Sequence, residues 1–286
     1  MKRTIFWTIT LTIGVLAIAF FLFGPRFTAS PARLVRLRSW FANPSAYPEW
    51  SITAGERCGD AVMLLPTSGY IGFGWNDSFR PGHHHSGLDI FGPDGENNVT
   101  PIVAAYDGYL TREVSWKSTI IIRHPDFPNN TQLGVAPGEQ FWTYYTHMAS
   151  ADGTESYVAD AFRPGTYEVF VEAGTLLGRQ GNWSGSRLGY TGRHLHFSIV
   201  RTRAEGGYAD ERVIENTFDP IPLLGLTRAP NGILHCAAGS RNIQRHFFDS
   251  VSVYIHRTAA RTNSSLLEPA FPGDSLGHGK GRFFFV

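Results

Sequence analysis

Residues 192–198 read Gly-Arg-His-Leu-His-Phe-Ser and lie in a run with the length and composition of a β-strand. Successive side chains of a strand point to opposite faces of the sheet. His194 and His196 are therefore expected to share one face, close enough to act on one centre. An isolated His-x-His in a strand is more often structural or solvated than a metal site, so this pair needs partners elsewhere in the chain.

A second stretch supplies such partners. Residues 81–90 read Pro-Gly-His-His-His-Ser-Gly-Leu-Asp-Ile, with a single carboxylate at Asp89. Taken alone, this stretch would be a polar turn with an aspartate cap. Histidine and aspartate are both zinc ligands, and His85, Asp89 and His196 together would supply three of them. Three protein ligands with a fourth position left for water are typical of a catalytic zinc site, whereas four protein ligands close a structural one.

A third histidine, His147, follows another strand-like run in Tyr-Tyr-Thr-His-Met, residues 144–148. Together with His194 it would place two imidazoles beside the metal. His83 and His84 are interpreted as residues of a solvated loop.

The composition favours a β-rich globular chain. Of 286 residues 42% are apolar and only 17% are charged, which argues against disorder. The 31 glycines, 17 prolines and 14% aromatic residues suit short strands joined by turns. Strand-length apolar runs lie at residues 61–65, 88–91, 101–106, 119–123, 140–145, 194–201 and 250–256. We therefore expect a mainly antiparallel β fold. The net charge of +1 gives no electrostatic reason to expect nucleic-acid binding.

Residues 4–24 contain no charged side chain and follow Lys2 and Arg3. A helix of that length would span the roughly 30 Å of a bilayer core. The segment is either a membrane anchor or a long signal peptide, and its length favours an anchor. Arginines are more numerous after the segment than before it, which by itself would place the body in the cytoplasm, although long domains translocate largely regardless of nearby charge.

The three motifs, in chain order, resemble those of the lysostaphin/LytM-type zinc endopeptidases, the glycyl-glycine endopeptidase family of peptidoglycan hydrolases. The family pattern of His-x-Gly-x-Asp, Tyr-x-His-Leu and His-Leu-His-Phe is matched at residues 85–89, 145–148 and 194–197. Residues 104–108 resemble its Ala-Ala-x-Asp-Gly turn, and residues 219–220 its closing Asp-Pro. The chain departs from the pattern at Met148, where leucine is usual, and at Ser198, where glutamate is common. The loops at 125–139 and 149–168 are long.

The resemblance implies an antiparallel sheet of the duplicated-hybrid-motif type, with long loops walling a groove. It implies one zinc ion held by His85, Asp89 and His196, with His147 and His194 as catalytic histidines. The implied reaction is hydrolysis of peptide cross-links or stem peptides of bacterial peptidoglycan, with zinc-bound water as nucleophile. Because that substrate lies outside the cytoplasmic membrane, the expected location is the cell envelope, with the protein either membrane-anchored or secreted.

Four segments are expected. They are an anchor or uncleaved signal segment at 1–24, a juxtamembrane connector at 25–60, the LytM-type zinc peptidase domain at 61–225, and an extension of unknown role at 226–286. Cys58 and Cys236 are compatible with one disulfide in an exported protein and equally with two buried free thiols. We expect them to be paired if the body is exported.

Two other functions fit parts of the sequence. One is a catalytically silent LytM-like module that binds or activates a cell-wall amidase, since some relatives have lost their metal ligands. The other is a phosphohistidine carrier of the sugar-transport type, which would need neither Asp89 nor an apolar N-terminal segment.

Overall fold

The structure is a computed structural model that describes residues 31–78, 82–125, 127, 139–185 and 190–236. The predicted anchor or signal segment at 4–24, the predicted strand at 250–256 and most of the long loop at 125–139 lie outside these residues. Within the described residues, no helix combines the length and apolar character needed to cross a membrane.

A ten-stranded sheet, paired antiparallel throughout, forms the framework. Its strands are β1 (Ser51–Ile52), β2 (Gly69–Phe73), β3 (Leu88–Phe91), β5 (Gly108–Thr111), β6 (Ile120–His124), β7 (Phe141–Thr146), β8 (Val169–Val171), β10 (Gly181–Trp183), β11 (Tyr190–Arg201) and β12 (Thr217–Phe218). Eight of them lie in the order β1-β2-β3-β11-β7-β6-β5-β8, while β10 and β12 pair with β11. The predicted mainly antiparallel β fold is confirmed.

Two smaller sheets and a helix complete the described chain. Strands β4 (Pro101–Val103) and β9 (Leu176–Arg179) form one antiparallel pair, and β13 (Leu226–Arg228) and β14 (Leu234–Cys236) form the other. The helix α1 spans Pro31–Ala42, and short 3₁₀ segments span Pro44–Ala46, Pro48–Trp50 and Ile214–Asn216.

The side chains of strand β11 alternate between the core and the opposite face of the sheet. Leu195, Phe197 and Ile199 are fully buried in the main hydrophobic cluster, which also takes in residues of β4 and β9. The period of two along a strand then sends His194 and His196 to the other side. His194 and His196 therefore share one face of the sheet, as the sequence predicts, because the alternate residues of the strand are buried in the core.

Helix α1 lies within the predicted connector. Its Leu37 and Trp40 are buried against Tyr70 and Phe91, and the Trp40 indole N–H donates to the Phe91 carbonyl at 3.1 Å. The helix thus packs on β2 and β3, and the sequence did not predict it.

The strand predicted at residues 61–65 is wrong. The backbone N–H groups of Met63, Leu64 and Leu65 donate to three separate segments, at residues 223, 105 and 56. Met63 and Leu65 are buried in the core as expected, but no single neighbour offers the ladder that a strand needs.

Cys58 and Cys236 form a disulfide. It joins the irregular segment after β1 to the end of β14, across 178 positions of the sequence. Leu226 and Leu234, on the two strands that lead to this bridge, pack in the main hydrophobic cluster.

Candidate metal centre

Neighbouring strands bring an aspartate and a histidine together. Asp89 on β3 lies directly opposite His196 on β11, and Thr146 at the end of β7 flanks His196 on the other side. Directly paired residues of antiparallel strands point to the same face with Cβ atoms about 4.5–5.5 Å apart. We call the face of the sheet that carries these two side chains the metal face.

The loop before β3 brings His85 to the same place. Its backbone N–H donates to the Asp77 carbonyl at 2.8 Å, which fixes the loop against residues 76–77. Gly87 lets this loop approach β11 closely, since a Cβ atom there would lie 2.2 Å from the Phe197 carbonyl oxygen. The glycine of the His-x-Gly-x-Asp motif is therefore required by packing against the histidine strand.

Three ligand atoms converge on the metal face. The His85 Nε2 lies 2.9 Å from the Asp89 Oδ1 and 3.1 Å from the His196 Nδ1, and the last two atoms lie 2.9 Å apart. Donor atoms around a tetrahedral zinc with bonds of about 2.0–2.2 Å stand roughly 3.3–3.6 Å apart. The three side chains would have to separate by only a few tenths of an ångström to accept such an ion.

Hydrogen bonds outside this triangle fix which ring nitrogens carry protons. The His85 Nδ1 donates to the Gly74 carbonyl at 2.9 Å, and the His196 Nε2 donates to the Glu211 carboxylate at 2.7 Å. Both partners only accept, so each neutral ring keeps a lone pair on its other nitrogen. These two lone pairs and the Asp89 carboxylate face one point, which is the arrangement that a cation needs.

The electrostatics of the site also favour positive charge. Burial works against ionisation of Asp89, but His85 and His194 outweigh it and hold the pKa of the carboxyl well below its usual range. Burial likewise disfavours a charged His196, yet the carboxylates of Glu211 and Asp89 outweigh it and raise the pKa of His196 to about 10. Protons would therefore compete with a metal for His196.

His147 and His194 lie beside the triangle. Their ring centroids are 4.4 Å apart, and the His147 ring is 6.1 Å from that of His196. His147 follows the last residue of β7 and has a φ of 75°, an uncommon conformation for a residue other than glycine. In a continued strand its side chain would point away from that of Thr146, so this turn brings the imidazole to the metal face.

Backbone carbonyls fix which ring nitrogen carries a proton in these two imidazoles. The His147 Nδ1 donates to the Trp183 carbonyl and the His194 Nδ1 to the Gly192 carbonyl, both at 2.5 Å. Burial, together with His194 and His196, lowers the pKa of His147 to about 3, so the ring is neutral at neutral pH and keeps a lone pair on Nε2. The His194 Nε2 lies 3.4 Å from the Asp89 Oδ1.

Sequence reasoning missed Glu211. This residue follows β11 by ten positions, in the segment 202–213, and its carboxylate accepts from His196 and from the Ser86 hydroxyl at 2.7 Å. The available signal was Ser198, which stands where the resembled family commonly has a carboxylate.

Two further segments are held by contacts of their own. Tyr208 of the segment 202–213 packs on Trp142 and Trp116, with ring centroids 5.5 and 5.9 Å apart. Lys117 donates to the Gly153 carbonyl at 3.1 Å, within the predicted long loop 149–168. The groove walled by long loops stays a prediction.

Two other histidines, His84 and His124, lie outside the triangle of ligand atoms. His84 is exposed and its Nδ1 lies 2.8 Å from the Asn76 side-chain oxygen. His124, at the end of β6, is buried between the Asp107 carbonyl and the Thr143 hydroxyl, at 2.7 and 2.8 Å. Its hydrogen bonds identify it as a structural histidine.

No family model and no curated protein matches the chain by sequence. Solved structures do resemble it. A candidate LytM glycyl-glycine endopeptidase from Ruminococcus gnavus is 22% identical over 48% of this chain and 44% of its own, with a TM-score of 0.31. The catalytic domain of the prophage-encoded M23 protein EnpA from Enterococcus faecalis is 20% identical over 54% of this chain and 91% of its own, with a TM-score of 0.29.

Lysostaphin is 18% identical over 63% of this chain and 65% of its own, again with a TM-score of 0.29. The chain spans less than half the length of the Ruminococcus gnavus protein. These TM-scores are low, so the chemistry of the site rests on the geometry described above. These three structures are LytM- and M23-type peptidases and lysostaphin, the group that the three sequence motifs of this chain also resemble.

Proposed function

We propose that this chain is a zinc-dependent endopeptidase that hydrolyses peptide cross-links or stem peptides of bacterial peptidoglycan. The observation that carries the proposal is the convergence of two imidazole nitrogens and one carboxylate oxygen, from His85, His196 and Asp89, on the metal face of the sheet. Three nitrogen and oxygen ligands leave a coordination position open, as in catalytic zinc sites. The substrate class comes from the resemblance of the motifs to the lysostaphin/LytM family.

A zinc ion bound there would supply Lewis acidity, both to a water molecule and to the scissile carbonyl. The protein must then handle a proton and a developing negative charge. The neutral His147, with Nδ1 fixed by the Trp183 carbonyl, keeps its Nε2 free to accept the proton of the attacking water. His194 lies between His147 and Asp89, and a second ring proton, on Nε2, would let it donate to the oxyanion of the tetrahedral intermediate while Nδ1 donates to the Gly192 carbonyl.

The proposed location is the cell envelope, outside the cytoplasmic membrane. Peptidoglycan lies there, and a disulfide between Cys58 and Cys236 persists in oxidising compartments. We further propose that the uncharged residues 4–24 anchor the chain in the membrane or direct its export.

The test combines metal analysis with digestion of purified peptidoglycan by the full-length chain, with products identified by mass. We expect one zinc per chain and release of peptide fragments. Asp89→Asn should lose most of the bound zinc and the activity, whereas His84→Ala, an exposed neighbour of His85, should keep both. Peptidoglycan binding without cleavage by the zinc-loaded chain would contradict the enzyme and favour the module that activates an amidase.

A further inference from the structure

The outer edge of the His196 ring is held by a carboxylate from outside the three motifs. His196 presents Nδ1 to the converging ligand atoms and donates from Nε2 to the Glu211 Oε1 at 2.7 Å. The Glu211 side chain is only 15% exposed and that of His196 10%, so water competes little for this hydrogen bond.

Two serines hold Glu211 in place. The Ser86 hydroxyl donates to the same Oε1 at 2.7 Å, and the Ser198 hydroxyl lies 3.5 Å from it. Ser86 follows His85 directly, and Ser198 shares the metal face of β11 with His196. The carboxylate therefore touches both segments that carry the histidine ligands.

Ser198 explains why the carboxylate that contacts His196 comes from the segment 202–213. A glutamate at 198, which is common in the resembled family, would stand two residues from His196 on the same face of the strand. The serine hydroxyl does not contact the His196 ring in the described structure, and Glu211 fills the space from the segment 202–213.

We propose that Glu211 is a positioning residue of the metal centre and takes the place of a carboxylate that the strand would otherwise supply. By accepting the Nε2 proton it fixes the tautomer and orientation of His196, and its charge makes the Nδ1 lone pair a stronger donor. Partners of this kind on metal-bound histidines are typically worth about 10–100-fold in metal affinity. The inference rests on the proposed zinc site and identifies the residue outside its ligand set that tunes it.

The first measurement is the zinc dissociation constant of the full-length chain, from competition with a chromophoric chelator. Glu211→Gln keeps the size of the side chain and an oxygen that can accept from His196 and Ser86, but it removes the charge. We expect zinc to bind about 10–100-fold more weakly. The matched control is Glu215→Gln, an exposed residue four positions later, which should leave the constant unchanged.

A second measurement separates positioning from structural support. Cobalt(II) in place of zinc reports ligand geometry through its visible absorption. We expect Glu211→Gln to change this spectrum while the circular dichroism of the metal-free chain stays the same. If this variant does not fold, Ser86→Ala removes the hydroxyl that holds Glu211, and zinc binding should weaken by a smaller factor.

Rescue tests whether the two positions for a carboxylate are equivalent. Adding Ser198→Glu to a Glu211→Ala chain, in which the space filled by Glu211 is vacated, should recover most of the zinc affinity that Glu211→Ala loses, and a double variant that stays at the level of Glu211→Ala would refute the equivalence. Unchanged zinc affinity and cobalt spectrum in Glu211→Gln, or unchanged affinity in Ser86→Ala when that variant is needed, would overturn the positioning role and leave the proposed function standing. If the unmodified chain binds no zinc, the proposed function fails, and this inference with it.

Discussion

His147 and His194 form a pair of imidazoles that does not need to hold the metal. If they act on the proton and the oxyanion, His147→Ala should lower kcat by about 10²–10⁴-fold and His194→Ala by about 10²–10³-fold. Both variants should keep zinc, because their rings lie outside the triangle of ligand atoms. The measurement is peptidoglycan hydrolysis by zinc-loaded protein, with zinc content and circular dichroism recorded for each variant.

Because the two imidazoles act on one reaction, the double variant should lose less than the product of the two single losses. His84→Ala serves as the matched control. Near-normal turnover in both single variants would remove the catalytic roles even if zinc binding by His85, Asp89 and His196 were established.

Buried His124 gives a prediction about stability and pH. Burial lowers its pKa from 6.5 to about 4, so the folded chain keeps it neutral while the unfolded chain protonates it below about pH 6.5. The unfolded state then binds more protons, and stability must fall as the pH drops from about 6.5 toward 4. The contribution between pH 7 and pH 5 is about 2 kcal/mol for one such group.

His124→Gln should remove this contribution. We expect the free energy of unfolding of the metal-free chain, from urea titrations at pH 7 and pH 5, to fall by about 2 kcal/mol less in the variant than in the unmodified protein. Equal losses in the two proteins would show that His124 is protonated as readily when folded as when unfolded.

The sequence predicted five site residues that the fold brings together, because each sits in a short motif whose spacing is set by a strand or a tight loop. The role of Glu211 could not be predicted from the sequence. It lies in the irregular segment 202–213, and its contact with His196 depends on how that segment folds back over the sheet. Only the serine at 198 indicated that a carboxylate had to come from elsewhere.

At the scale of elements, the pairing of β3 with β11 is what brings Asp89 to His196, and Gly87 makes the approach of the preceding loop possible. Gly87→Ala would place a Cβ atom 2.2 Å from the Phe197 carbonyl oxygen, a backbone atom in the middle of β11 that has little room to move. We expect a loss of at least about 1–3 kcal/mol in the free energy of unfolding, and weaker zinc binding because His85 is displaced. Urea unfolding measures the loss of stability, and chelator competition measures the loss of zinc affinity.

Gly95→Ala is the matched control, since a Cβ atom there would have nothing within 4 Å. It should change neither quantity by more than a few tenths of a kcal/mol. A Gly87→Ala chain with normal stability and zinc affinity would show that the loop can retreat from β11 without moving His85.

Two predictions from the sequence failed for physical reasons: helix α1 was missed, and the strand at 61–65 is absent. Helix α1 buries Leu37 and Trp40 but exposes Leu34, Val35 and Phe41, so apolar residues surround the helix and hide its period. In the 61–65 run, Met63 and Leu65 are buried as alternate residues of a strand would be, but the backbone N–H groups of residues 63–65 bond to three separate segments. Burial can be predicted from such a run, whereas the partner of its backbone cannot.

At the scale of the whole molecule, one disulfide closes most of the described chain into a loop. Cys58 follows β1 and Cys236 ends β14, so the bridge encloses all three motifs and the metal face. The bridge does not touch the proposed ligands, and its effect should therefore be on stability and not on the chemistry of the site.

The last prediction tests that separation. A cross-link over 178 positions restricts the unfolded chain, and the chain-entropy relation assigns it about 5 kcal/mol at 25 °C. Reduction, or replacement of both cysteines by serine, should lower the free energy of unfolding by up to this amount, as measured by urea titration. Reductant should have no further effect on the double serine variant, which is the control for direct action of the reductant. Below its unfolding transition the bridge-free chain should retain its zinc affinity and its hydrolysis rate, because the sheet that aligns Asp89 with His196 is held by its own core. Loss of zinc binding in a bridge-free chain that is still folded would show instead that the bridge helps to shape the metal face.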